Sequence, residues 1–154
     1  MTRMLHLILN KVMERVVKFR GKVVNHDPMT NPENGWVEGY YLQDLDNGVV
    51  KHYIFNCPMR WEVIPESVGQ FTGLHDYKGR EIYDGDVICS ELVSGREVLH
   101  KIEYNVENAM FVAKPLEGLD FDYCHIYKHW IWRYGKEVIG NLHDNPNLST
   151  DDSD

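Results

Sequence analysis

Hydrophobic and polar positions alternate over short stretches of this chain, which is the pattern of half-buried β-strands. At its start, for example, Val17 and Phe19 alternate with Lys18 and Arg20. Turn-forming residues separate the stretches, and Asp46-Asn47-Gly48 is a strong hairpin signal. The pattern predicts strands at residues 16–20, 36–42, 49–55, 61–64, 87–92, 97–104, 109–114, 120–127 and 137–141, and leaves residues 128–134 open between strand and helix.

The N-terminal residues follow a different period. Apolar side chains between Leu5 and Val17 recur at three- and four-residue spacing, which allows an amphipathic helix over residues 3–17, with an extended start as the alternative. Residues 1–22 also carry six basic side chains against one acidic side chain. We expect this arm to pack against the barrel of the same chain or of a second copy. The alternatives are that it binds nucleic acid, a membrane surface or a neighbouring subunit. A further alternative is that the native protein starts at Met13.

Two turn signals bracket a short extended segment in the middle of the chain. Asp76-Tyr77-Lys78-Gly79 has the residue preferences of a type I turn, and Asp84-Gly85-Asp86 repeats the signal immediately before a β-branched run. Asp84 and Asp86 are expected to accept hydrogen bonds from backbone N–H groups rather than to bind a metal.

Four segments together resemble the YopX family of phage and prophage proteins: residues 18–22, 36–40, 63–88 and 137–146. The resemblance covers residues 17–148 and implies an α+β protein with a small SH3-like β-barrel that self-assembles in the bacterial host cell. It brings no catalytic residues, and Glu38-Gly39 stands where the family usually has an aromatic residue before glycine. The residues that carry the central family motif are Gly69, Gln70, Phe71, Thr72, Gly73, Asp76, Gly79, Ile82, Tyr83, Gly85 and Asp86.

Pattern and resemblance together predict a mainly β, α+β fold. We expect an N-terminal arm or helix at residues 1–17, a β-rich subdomain with a hairpin at 18–64, a small SH3-like barrel at 65–148 and an acidic disordered tail at 149–154. A chain of 154 residues is long enough to bury its own core.

The cysteine content, hydrophobicity and net charge indicate the cellular compartment and the kinds of partner. The three cysteines are odd in number and form no Cys-x-x-Cys pair, which fits a reducing cytoplasm. The N-terminal apolar run is too short to span a membrane, so we predict a cytoplasmic protein without a membrane partner. The net charge of −8 argues against a surface that neutralises phosphates, so nucleic acid is a possible but not a favoured partner.

Metal-ligating residue types gather between Asp120 and His129, with Asp122, Cys124 and His125 between them. On a helix the two histidines would share a face and chelate an ion, whereas on a strand they would lie about 13 Å apart. The segment also lacks the glutamate of a zinc protease motif. We therefore expect no metal and no other cofactor.

No nucleophile of the chain lies in a catalytic motif, so an enzyme is the least favoured class. Aromatic side chains on strands suit self-association or docking to a host or phage protein. The alternative is a nucleic-acid-binding accessory protein that uses barrel aromatics for stacking and the basic N-terminal segment for charge. The candidate interaction surface comprises Trp36, Tyr40, Tyr41, His125, His129, Trp130 and Trp132.

Overall fold

The computed structural model describes residues 15–27, 29, 32–91, 95–116, 123–133 and 135–149. These residues form eleven strands: β1 (Phe19–Lys22), β2 (Trp36–Asp46), β3 (Val49–Asn56), β4 (Met59–Glu62), β5 (Gly69–His75), β6 (Glu81–Tyr83), β7 (Asp86–Glu91), β8 (Glu97–Asn105), β9 (Met110–Pro115), β10 (Cys124–His125) and β11 (Glu137–Asn141). One α-helix, α1 (Lys128–Arg133), and three 3₁₀ turns, Glu33–Gly35, Pro65–Ser67 and Pro146–Ser149, complete the described elements. None of the described helices is long and apolar enough to cross a membrane.

The strands form two antiparallel sheets. The first has the order β4-β3-β2-β1-β5-β6, and the second has the order β10-β9-β8-β7-β11. Val23, Val37, Ile54 and Val63 form the core of the first sheet's N-terminal strands. A second core of Ile82, Ile88, Ile102, Ala113, Ile131 and Val138 lies against the second sheet and α1.

The mainly β character predicted from the sequence is confirmed, and the described strands of residues 65–148 do not form a closed barrel. Strands β5 and β6 extend the first sheet, because Phe19 pairs with Gln70 and Arg20 with Gly69. The chain then turns at Gly85 and enters the second sheet at β7, so the expected barrel strands are divided between two open sheets. The SH3-like topology and the domain boundaries stay predictions.

Local strand predictions differ from the structure mainly at their ends. β1 begins at Phe19 rather than Val16, and β4 ends at Glu62 rather than Ile64. Within the segment predicted as a strand at residues 120–127, only Cys124–His125 is a strand among the described residues, and residues 128–133 are the helix α1. The predicted N-terminal helix lies outside the described residues except for residues 15–17, which have no regular structure, and residues 150–154 of the predicted tail also lie outside them.

Asp76 explains why the central turn motif takes this shape. One oxygen of its carboxylate accepts the N–H groups of Lys78 and Arg80, at 2.9 and 2.8 Å. The other oxygen accepts the N–H of Val138 in β11, at 3.1 Å. The side chain is 2% exposed, so this aspartate holds the turn closed and attaches it to the second sheet. Of the two aspartates for which the sequence predicts such a role, Asp86 accepts the backbone N–H of Tyr83 at 2.8 Å.

Candidate interaction surface

The outer half of the β2–β3 hairpin, residues 43–50, is here called the ribbon. Asn47 and Gly48 both have positive φ values, 51° and 82°, which is the backbone of a tight two-residue hairpin turn. Strand pairing continues to the end, where Asp46 lies opposite Val49. Every residue of the ribbon is exposed, so the hairpin continues beyond the core that its inner half covers.

The ribbon carries apolar side chains in solvent. Leu45 and Val50 lie opposite each other on the face that continues from the core, and they are 67% and 53% exposed. Val49 is 61% exposed on the other face. Exposed apolar side chains on a projecting strand pair lower the solubility of a protein. They are typical of a surface that another protein covers.

A polar contact separates this apolar tip from the core. The hydroxyl group of Tyr41 lies 2.6 Å from Nδ1 of His52, and the Gln43 side-chain amide donates to the same hydroxyl at 2.8 Å. Tyr41 and Phe19 also pack against the N-terminal core. These bonds fix the hairpin where it leaves the core, so the ribbon projects as a defined structure.

Ion pairs cover the opposite face of the hairpin. Arg60 lies 3.3 Å from Asp44, and Lys51 lies 3.3 Å from Asp46 and 3.2 Å from Glu62. Hydrogen bonding to Glu62 and Asp46 raises the pKa of Lys51. Because these side chains remain partly in solvent, the pairs mainly set the charge pattern of the ribbon rather than its stability.

A polar cleft of about 820 Å³ lies where β1 and β2 meet β6 and residues 141–144. The Arg20 guanidinium lies between the rings of Trp36 and Tyr83, 4.9 and 4.8 Å from their centroids, and donates to Asp86 at 2.5 Å. Burial raises the pKa of Asp86, although the charge of Arg20 opposes this effect. Asp86 also accepts the Tyr83 N–H at 2.8 Å.

Lys18, immediately before β1, and Lys22, at the end of β1, are also bound to carboxylates. Lys18 contacts Glu38 and Glu81 at 3.0 and 2.6 Å. Lys22 binds Asp144, whose second oxygen accepts the indole N–H of Trp36 at 2.7 Å. The cleft is therefore a junction in which charges of the two halves of the chain neutralise each other.

The aromatic residues predicted as one interaction surface lie in several places. Trp36 is in the cleft, and Tyr40, which is 71% exposed, lies further along the same face of β2. Tyr41 packs instead against the N-terminal core, on the opposite face of this strand. The structure thus brings only two of these three side chains to one face.

The remaining predicted residues lie around α1. Trp130 packs against the C-terminal core, whereas Trp132 is 53% exposed and contacts the ring of Tyr77 at 5.5 Å. His129 is exposed on α1, and His125 is exposed on β10, before the helix begins. The shared helical face considered for the two histidines is therefore absent. Asp120 and Asp122 lie outside the described residues, within which no three metal-ligating side chains come together.

Sequence reasoning missed a buried cluster next to Trp130. His100 is 4% exposed and meets Trp130 edge to face at 5.8 Å, while the Lys136 ammonium lies 4.0 Å from the Trp130 ring centroid. Burial lowers the pKa of Lys136 to about 8. Burial, and after it the charge of Lys136, lowers the pKa of His100 to about 4. No local pattern reveals such a cluster, because its members come from β8, α1 and the residue before β11.

Comparison with known proteins identifies the family of this chain. The YopX protein family matches residues 18–149. A search of curated proteins finds no match. The crystal structure of protein EF1440 from Enterococcus faecalis is similar to this chain, with a TM-score of 0.47 and 23% identity over 88% of this chain and 99% of that chain. Since the family match spans most of the 154 residues, this chain belongs to the YopX protein family.

Proposed function

We propose that this YopX-family protein is a non-enzymatic interaction protein, which associates with copies of itself and with host or phage proteins in the cytoplasm of a bacterial cell. The observation that carries the proposal is the ribbon, which holds Leu45, Val49 and Val50 in solvent at the end of a paired hairpin. Exposed apolar side chains on a rigid projection are buried most effectively by another protein.

The charges of the cleft favour a protein partner over nucleic acid. Lys18, Arg20 and Lys22 are three of the six basic residues in the N-terminal segment on which the alternative function relies, and each of these three contacts a carboxylate. Binding phosphates would require these pairs to break, which reduces the gain from the new contacts. A titration with single-stranded and duplex DNA at low salt tests this point, and tight binding would favour the alternative.

Light scattering on purified protein tests the self-association. We expect the wild-type protein to be larger than a monomer and the double substitution Leu45→Asp with Val50→Asp to be monomeric, because it places two charges in the apolar contact. Val106→Asp is the matched control, since Val106 is 81% exposed in the turn between β8 and β9. A wild-type protein that is a monomer at all concentrations contradicts self-association.

Co-purification from host cells tests the second part of the proposal. A specific partner should be retained by the wild-type protein and by Val106→Asp, and lost with Leu45→Asp and Val50→Asp. A partner that all three proteins retain equally would show that the ribbon is not the interface.

A further inference from the structure

The side of β2 that faces away from β3 is open along the ribbon. β1 pairs with β2 only as far as Phe19 opposite Gly39, whereas β3 pairs with β2 to the end of the hairpin. In the part of the chain that the structure describes, no strand pairs with residues 41–46 on the β1 side. An unpaired strand edge of this kind is a template for another strand.

The backbone groups of Gln43 point towards this open edge. The C=O of His52 accepts the N–H of Val63 at 2.9 Å, so the backbone groups of His52 face away from β2. Gln43 lies directly opposite His52. When one member of an antiparallel pair faces away from its neighbour, so does the other. The N–H and C=O of Gln43 are therefore directed outwards.

The residues two positions before and after Gln43 also lie along this edge. Tyr41 and Leu45 direct their backbone groups to the same side as Gln43, since direction alternates along a strand. The N–H of Leu45 is bound by the carboxylate of Asp44 at 2.9 Å. The open edge is therefore short, and Gln43 is at its centre.

The side chains beside the edge alternate in chemistry. Leu45 lies on one face with its cross-strand neighbour Val50, and both are more than half exposed. On the other face the three carboxylates of Asp44, Asp46 and Glu62 pair with only two cations, Arg60 and Lys51, so this face keeps a negative charge, and the side chains of Asp44 and Asp46 are each 51% exposed. A strand added here would place apolar side chains on the first face and basic side chains on the second.

We propose that this edge takes up an extended segment of a partner protein, in which apolar residues alternate with lysine or arginine, as an added β-strand. The inference rests on the proposed function, because the same ribbon is the interface, and it specifies the binding mode and the partner's chemistry. Backbone hydrogen bonds to Gln43 supply affinity, and the alternating side chains supply selectivity.

Labelled peptides test the proposal by fluorescence anisotropy. One short peptide alternates valine with lysine and the other alternates valine with glutamate. Gln43→Pro removes an N–H that takes no part in the β2–β3 ladder, so the hairpin tolerates it, whereas Gln43→Ala keeps the N–H and removes the side chain. Both variants lose the side-chain bond to Tyr41, so they differ in the backbone N–H, and we expect the lysine peptide to bind Gln43→Pro about tenfold more weakly than Gln43→Ala.

The controls separate strand addition from simple charge attraction. Neither substitution of Gln43 changes the net charge, so equal binding of the lysine peptide to Gln43→Ala and Gln43→Pro would overturn the proposal. The glutamate peptide should bind more weakly than the lysine peptide. Amide hydrogen exchange of the wild-type protein gives a second readout that needs no variant, since strand addition should slow exchange at Gln43, and unchanged exchange at saturation would refute it.

Two outcomes distinguish this inference from the proposed function. If association depends on Leu45 and Val50 but no peptide binds, and Gln43→Pro still assembles, the ribbon is an interface and strand addition is wrong. If Gln43→Pro abolishes assembly and no peptide binds, the edge serves a second copy of the chain, which also overturns the proposal.

Discussion

Replacing His100 with phenylalanine should remove a defined part of the protein's sensitivity to acid. His100 is buried beside Trp130 and near Lys136, and its Nδ1 lies 3.5 Å from the hydroxyl group of Ser90. Burial, followed by the charge of Lys136, lowers its pKa from the ordinary value of 6.5 to about 4. Phenylalanine keeps an aromatic ring against Trp130 but binds no proton.

The sign follows from the direction of this shift. Since the folded-state pKa lies below the unfolded value, the unfolded chain binds a proton at pH values where the folded protein does not. The contribution of His100 to the free energy of unfolding is therefore largest above pH 6.5 and falls as the pH drops towards 4. Between about pH 7 and pH 4.5 the loss from this one side chain is about 2 kcal/mol.

Urea unfolding at a series of pH values measures the effect. We expect the wild-type protein to lose about 2 kcal/mol more than His100→Phe between neutral and mildly acidic pH, because protonation of the carboxylates is common to both proteins. His129→Phe is the control, since it removes an exposed histidine from α1. Parallel curves for wild type and His100→Phe would refute the reasoning.

Three further substitutions test individual contacts by urea unfolding. Asp76→Ala should cost about 3 kcal/mol, because it leaves three backbone N–H groups without their acceptor. Arg20→Met or Asp86→Asn alone should cost about 3 kcal/mol by breaking a buried ion pair, and the double substitution should cost less than the sum of the two. Gly39→Ala should cost about 2 kcal/mol or more, because its Cβ would lie 2.2 Å from the carbonyl oxygen of Phe55.

Each of these predictions has an outcome that contradicts it. An Asp76→Ala protein as stable as wild type would mean that solvent replaces the carboxylate in the turn. Strict additivity at Arg20 and Asp86 would mean that the two side chains are not coupled. For Gly39→Ala, the control is Gly48→Ala, where no atom lies within 4 Å of the added Cβ and only backbone strain at positive φ remains. An equal cost at both positions would rule out the steric argument.

The sequence predicted well those parts of the structure that depend on interactions between neighbouring residues. The hairpin at Asn47-Gly48 and the turn that begins at Asp76 both depend on bonds between residues close together in the chain. The division into two sheets could not be predicted in this way, because it depends on the pairing of Phe19 with Gln70 across the first sheet. Helix α1 has only six residues, too few for its period to distinguish it from a strand.

The candidate surface shows the same limit. Aromatic residue type predicted interaction for Tyr41 and Trp130, yet the structure buries much of both side chains in the two cores. The exposed residues of the ribbon, Leu45 and Val50, have no special residue type, and only the length of strand pairing beyond the core reveals them. Exposure is a property of the assembled sheets, which single-residue arguments do not reach.

The ion pairs of the cleft join residues that are synthesised far apart in time. Arg20 must wait for a carboxylate 66 residues later in the chain, and Lys22 for one 122 residues later. Until the last of these residues has left the ribosome, β1 presents its cations without their final partners, although the N-terminal strands are already made. The native ion pairs of Arg20 and Lys22 can therefore form only after these later residues have been synthesised, so they belong to the last stage of folding during translation.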